Sequence, residues 1–174
     1  MVPKLYKPLF AIWILCCLST GILAEISLPD ATDLQADGRQ ALAQRLPILL
    51  EFSAVDCSYC RQLESEFLVP MLLSGEYTSK VIIRRLMLDS GTPVTGFDGT
   101  RTAAAEIAQR YRAWLTPTVV FIDGHGKELA ERIVGINTPE LFGGYLDACI
   151  DTALLLIREP ESPIEHAGCE RVSP

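Results

Sequence analysis

Cys57-Ser58-Tyr59-Cys60 is the segment of this chain best suited to chemistry. It follows an apolar run that reads as a buried strand, and it opens a stretch with helical spacing. Two thiols in the first turn of a helix can close a small disulfide ring, and the helix N-terminus favours the thiolate at the first sulfur. The thiolate is the attacking species in thiol–disulfide exchange, so Cys57 is the expected nucleophile. Cys60, one turn deeper, is expected to be shielded and to resolve the mixed disulfide. A permanent bridge is one alternative, but a ring spanning two residues constrains little loop entropy. Half of a zinc site is another. Such a site needs about four ligands, and the chain has no second Cys-x-x-Cys and no His pair. His125 falls in a glycine turn and His166 near the C-terminus, and both read as solvated. The reading is a redox-active pair with no metal and no separate cofactor.

Glu51 is the next residue of interest, six positions before Cys57 in an otherwise apolar run. An isolated buried carboxyl tends to keep its proton, which suits proton delivery near neutral pH. The alternative places Glu51 on an exposed strand end or in a pair with Arg84 or Arg85. Asp56 sets a negative charge beside Cys57 and opposes a very acidic thiol.

These groups need elements to hold them. Short apolar runs predict strands at 48–54, 81–88, 118–122 and 128–134, the last two joined through Gly124-His125-Gly126. Helical spacing predicts helices at 33–46 with Asp33 as cap, 58–68 ending or kinking at Pro70, 102–114, and 138–157. Thr138-Pro139-Glu140 supplies a hydroxyl cap, a proline at the first helical position and an acid facing the dipole. Residues 90–100, rich in Gly, Thr and Pro, read as a loop. The order of elements describes an α/β sheet covered on both faces.

Here the sequence resembles the thioredoxin superfamily over most of residues 33–157. Ile48-Leu49-Leu50-Glu51-Phe52 followed by the cysteine pair resembles that family's central strand entering its active-site helix. Leu115-Thr116-Pro117-Thr118-Val119-Val120-Phe121 is similar to its cis-proline loop, and Gly126 with Arg132-Ile133-Val134-Gly135 to its closing hairpin. The resemblance implies a central mixed four-stranded sheet flanked by helices, with an extended loop before the helix that leads to the cis-proline. It implies that Pro117 is cis and packs against the disulfide, and that Thr116 offers backbone hydrogen bonds to an extended substrate segment. It further implies that Glu51 assists proton exchange with Cys60. Ser58 and Tyr59 replace the Gly-Pro of thioredoxin proper, and with Thr116 and Pro117 they are the expected substrate-facing residues. The longer 90–100 loop and the Thr before the proline resemble exported thioredoxin-like proteins, including those of bacterial sulfur oxidation.

The remaining features bear on compartment and partners. With 174 residues, 49% of them hydrophobic, the chain has enough apolar content for one packed domain and for excluding disorder throughout. A net charge of −7 excludes the basic footprint of nucleic-acid binding. Lys4 and Lys7, the apolar run Leu9 to Leu18 and Ala24 read as a secretory signal over residues 1–24. The uncharged stretch from Pro8 to Ala24 falls just short of the roughly 20 residues of a membrane span, so an uncleaved anchor is the alternative. Cys16 and Cys17 read as small apolar residues of that segment. Residues 25–32 read as a linker and 158–174 as a flexible tail. Cys149 reads as a buried apolar residue, while Cys169 is open between a free thiol, an intermolecular link and a bond to Cys149. Export places the protein in the periplasm, as a monomer acting on protein thiols and disulfides and supplied by a membrane electron donor. An oxidase or isomerase, and an adaptor or copper-handling module without turnover, are the alternatives.

Overall fold

Asp33 starts the first helix, its Oδ1 accepting the Ala36 N–H at 2.8 Å. That helix, α1 (Leu34–Gln44), ends where Arg45 turns left-handed at φ 54°. Pro47 then releases the chain into β1 (Ile48–Ser53), whose six residues are all buried. Around this strand the computed structural model describes residues 27–161 together with Cys169, Glu170 and Val172; the expected signal or anchor at 1–24 lies outside them.

The following elements are α2 (Ser58–Leu63), a single π turn at Glu64–Leu68, α3 (Val69–Ser74) and β2 (Ile82–Met87). Then come the short strands β3 (Val94–Thr95) and β4 (Arg101–Thr102), α4 (Ala104–Arg110), β5 (Thr118–Ile122), β6 (Glu128–Val134) and α5 (Pro139–Arg158). The main sheet has the order β2-β1-β5-β6. β1 runs parallel to β2 and antiparallel to β5, and β5 runs antiparallel to β6, so the sheet is mixed. Alternation along β1 sends Leu49 into the core formed with Leu63, Leu68, Phe142 and Leu146. Ile48, Leu50 and Phe52 enter the opposite core with Leu34, Ile107 and Tyr111. A strand buried on both faces needs this near-continuous apolar run, and the one ionisable residue within it is Glu51.

Several boundaries differ from the sequence expectation. The helix after the cysteines does not stop at Pro70: α2, the π turn and α3 are continuous, and Pro70 lies in the first turn of α3. Proline lacks the N–H that would reach back four residues and its ring needs room there, which the widened turn, with Val69 N–H bonded to Glu64 O, supplies. The helix expected to reach residue 114 ends at Arg110, because Arg112 turns left-handed at φ 51° and Ala113 N–H bonds back to Ala108 O. Thr138 precedes α5 at φ 52° but its hydroxyl makes no capping bond; Pro139 and the first-turn acid Glu140 fit the expected start. Within the 90–100 loop, Val94–Thr95 pairs with Arg101–Thr102 as a small hairpin.

Both edges of the main sheet are covered by segments read from sequence as linker or tail. On the β2 side Ala31 N–H donates to Arg85 O at 2.7 Å, and Arg85 N–H donates to Pro29 O at 2.9 Å. Leu28 and Ala31 are buried there. On the β6 side Glu131 N–H donates to Glu170 O, and Val172 N–H donates to Leu129 O. Cys169 is buried and disulfide-bonded to Cys149 of α5. Cys169, Glu170 and Val172 of the expected flexible tail are thus docked, since a covalent tie and edge pairing outweigh its polar composition. The bond closes a ring of about 20 residues, for which chain entropy gives about 3 kcal/mol. Cys169→Ser should lower the unfolding free energy in denaturant by about that amount, and an unchanged midpoint would show that the tie adds no stability.

Candidate active site

The carboxyl end of β1 and the amino end of β5 meet through the pairing of Phe52 with Thr118. The cysteine turn therefore leaves the sheet at the same end at which Pro117 enters it. Beyond Ser53 the chain turns with Cys57 N–H bonded to Ala54 O. The Asp89 carboxylate, just past β2, accepts Val55 N–H at 3.1 and 3.2 Å, and the Arg61 guanidinium donates to Val55 O at 3.3 Å. Both ends of this turn are thus tied down.

Cys57 caps α2: its Sγ accepts the Cys60 N–H at 3.0 Å. The two cysteines form a disulfide with S–S 2.04 Å and Cα–Cα 5.2 Å. Cys57 is half-buried while Cys60 is 1% exposed. A helix N–H aimed at Cys57 Sγ is the contact that stabilises sulfur as an anion once the disulfide opens. Ser58 and Tyr59 face solvent between them.

The Thr116–Pro117 peptide bond is cis. Pro117 is buried, its carbonyl accepting Gly135 N–H at 2.9 Å, and the Thr118 hydroxyl donates to Leu115 O at 2.6 Å. These bonds hold the loop on both sides of Thr116, which is itself partly exposed. Trp114 and Leu115, 69% and 66% exposed, stand just before it. Val55 and Tyr59, at 60% and 59%, stand on the cysteine side. Four large exposed apolar residues thus lie in the two segments that carry the disulfide and the cis-proline.

Beneath α2 lies Glu51, fully buried, with neither carboxyl oxygen hydrogen-bonded. Neither guanidinium of the alternative reading reaches it. Arg84 binds Asp37 at 2.8 Å; Arg85 binds Asp30 at 2.8 Å and Glu64 at 2.9 Å. Burial pushes the Glu51 carboxyl up to about 8; the nearby Glu64 charge adds to this, and Arg85 and the Ser53 hydroxyl offset part of it. The carboxyl is therefore protonated over most of the neutral range. Glu64, four residues beyond Cys60 at the start of the π turn, accepts from the Ser53 hydroxyl at 3.4 Å.

Sequence reasoning missed Glu64, Asp89 and the Trp114–Leu115 pair. Glu64 had a signal, since four residues after Cys60 places it on the same helix face. A cavity of about 620 Å³ lies elsewhere: it opens beside the Gly124–Lys127 turn, at the other end of β5, and holds none of the expected site residues. Among the described residues no group of His, Cys, Asp and Glu is arranged to hold a metal ion.

A mixed sheet of this order, with a disulfide in the first turn of the helix that follows its central strand, defines a thiol–disulfide oxidoreductase. Residues 34–150 match the Thioredoxin-like domain, and the chain belongs to that family. Among curated proteins no match was found. Solved structures similar to it include oxidized mitochondrial thioredoxin 3 of Saccharomyces cerevisiae, 20% identical, covering 69% of this chain and 94% of that one, with a TM-score of 0.46. A poplar thioredoxin h is 21% identical over 64% of this chain and 84% of its own, with a TM-score of 0.43. Fasciola hepatica thioredoxin is 24% identical over 66% and 92%, with a TM-score of 0.41.

Proposed function

We propose that this chain is an exported protein-disulfide reductase that acts in the periplasm through a Cys57–Cys60 dithiol cycle. The observation that carries the reading is the asymmetry of the pair, with one sulfur reachable at a helix start and the other buried one turn below it. In the cycle the Cys57 thiolate attacks a substrate disulfide, and the leaving thiolate takes a proton from solvent. Cys60 gives its proton to the Glu51 carboxylate and its sulfur attacks Cys57 Sγ. The second substrate thiolate leaves, two electrons have passed to the substrate, and the pair is oxidised. A membrane electron donor returns two electrons, because soluble thiol reductants are scarce outside the cytosol. Asp56 beside Cys57 disfavours the very acidic thiol typical of a strong oxidant.

Substrates would dock as extended segments along Thr116, with Trp114 and Leu115 on one side and Val55 and Tyr59 on the other. Trp114→Ala should raise KM for a protein disulfide about tenfold with kcat unchanged and alter stability by about 0.5 kcal/mol or less. A fall in kcat at constant KM would contradict a docking role.

Client capture in the exporting cell tests the function. Cys60→Ala cannot resolve its adducts, and it should accumulate mixed disulfides with exported proteins. Adducts with cytosolic proteins alone would contradict the compartment. Absence of any adduct would contradict the reductase.

A further inference from the structure

Glu51 and Arg85 are direct register partners on the parallel strands β1 and β2. A carboxylate and a guanidinium so placed are expected to meet, yet they do not. The Arg85 side chain is held from two other directions, by Asp30 of the covering segment at 2.8 Å and by Glu64 of the π turn at 2.9 Å. Glu64 reaches it because residues four apart on a helix share a face: Cys60 and Glu64 both point toward the sheet, where Glu51 and Ser53 lie on one side of β1. The Ser53 hydroxyl lies 3.4 Å from Glu64 Oε1. Glu64 thus holds the guanidinium that would otherwise pair with Glu51, whose two oxygens have no hydrogen-bond partner.

We propose that Glu64 is a positioning residue of the redox step: by engaging Arg85 it keeps the guanidinium from pairing directly with Glu51 and sets how readily that carboxyl parts with its proton. This rests on the reading of Glu51 as the group that exchanges a proton with Cys60. When an incoming thiolate attacks Cys57 Sγ, the Cys57–Cys60 bond breaks, the electron pair goes to Cys60 Sγ, and the Glu51 proton follows it. In the reverse direction Cys60 returns the proton to Glu51 as its sulfur attacks the mixed disulfide. A carboxyl with its own guanidinium would hold its proton weakly and serve the first step poorly. The polar groups that act on Glu51 are Ser53 from its own strand, Arg85 from β2 and Glu64 from the π turn. Asp30 acts through Arg85, the β5 register partner is the apolar Val119, and α5 adds Phe142, Leu146 and the disulfide-bonded Cys149 to that core.

The test is the pH profile of Cys57–Cys60 reduction in the whole protein, with an infrared measurement of the protonated Glu51 carboxyl. Glu64→Gln keeps an acceptor for Ser53 and Arg85 but removes the charge, and should move the inflection down by about one pH unit or more. Arg85→Gln should move it up, opposite in sign, which a general loosening of the fold would not do. Glu51→Gln should abolish the inflection, and then Glu64→Gln added to it should change nothing. If Glu51→Gln abolishes the inflection while Glu64→Gln and Arg85→Gln leave it in place, the positioning role is wrong and the proton-exchange reading stands. An inflection that survives Glu51→Gln overturns both.

Discussion

Cys57→Ala is expected to reduce turnover of a protein disulfide by about a thousand-fold or more, because it removes the sulfur of the pair that the substrate can reach. Cys60→Ala should behave differently. Its Cys57 is still at the helix start, so one equivalent of substrate is attacked rapidly and the mixed disulfide then persists. Stopped-flow with excess substrate separates the two: no burst for Cys57→Ala, and a burst of one equivalent followed by stalling for Cys60→Ala. Equal bursts from both variants would mean that Cys60 attacks substrate as readily as Cys57. That would contradict a structure in which Cys60 is 1% exposed.

The second large effect concerns stability. Glu51 keeps its proton in the folded chain up to about pH 8, whereas the unfolded carboxyl releases it near 4.5. Across that window the folded state binds the extra proton, so folding stability falls as pH rises, by about 1.4 kcal/mol per pH unit. The effect is fully developed above pH 8 and absent below 4.5. Glu51→Leu removes it. The variant should gain on the native protein as pH rises, reaching several kcal/mol at pH 8, while losing the proton exchange that redox cycling uses. Unfolding free energies from denaturant titrations at pH 5 to 8.5 check this; parallel pH dependences for the two proteins would refute the buried-acid account. Such a residue, costly to the fold and useful to the chemistry, is where stability and activity are expected to oppose one another.

The central strand, the cysteine turn after it and the Thr-Pro-Thr loop were legible because each is a local pattern. An apolar run between Pro47 and Asp56 reads as a buried strand wherever it lies in the fold. Pairing that depends on distant partners was not legible. Residues 29–31, Glu170 and Val172 lie in stretches with no strand periodicity of their own, and they pair with the edges of β2 and β6. The Cys149–Cys169 bond also spans elements whose proximity no local pattern announces. Pro70 misled for a different reason, since a proline rule derived for regular α-helix does not anticipate a π turn ahead of it. At the site, Glu51 was visible as a charge in an apolar strand, but its isolation was not. Two arginines interrupting the next apolar run suggested partners, and only the competing carboxylates of Asp30, Asp37 and Glu64 show why neither is available.

The reduction potential of the Cys57–Cys60 pair, obtained by equilibration against glutathione and dithiol buffers, tests the reductase reading most directly. The account predicts a low value, toward about −270 mV, with the pair fully reducible under mild conditions. A value near about −120 mV would make the protein a disulfide donor. A pair that resists mild dithiol altogether would be a structural bridge, and either result would contradict the function proposed for it.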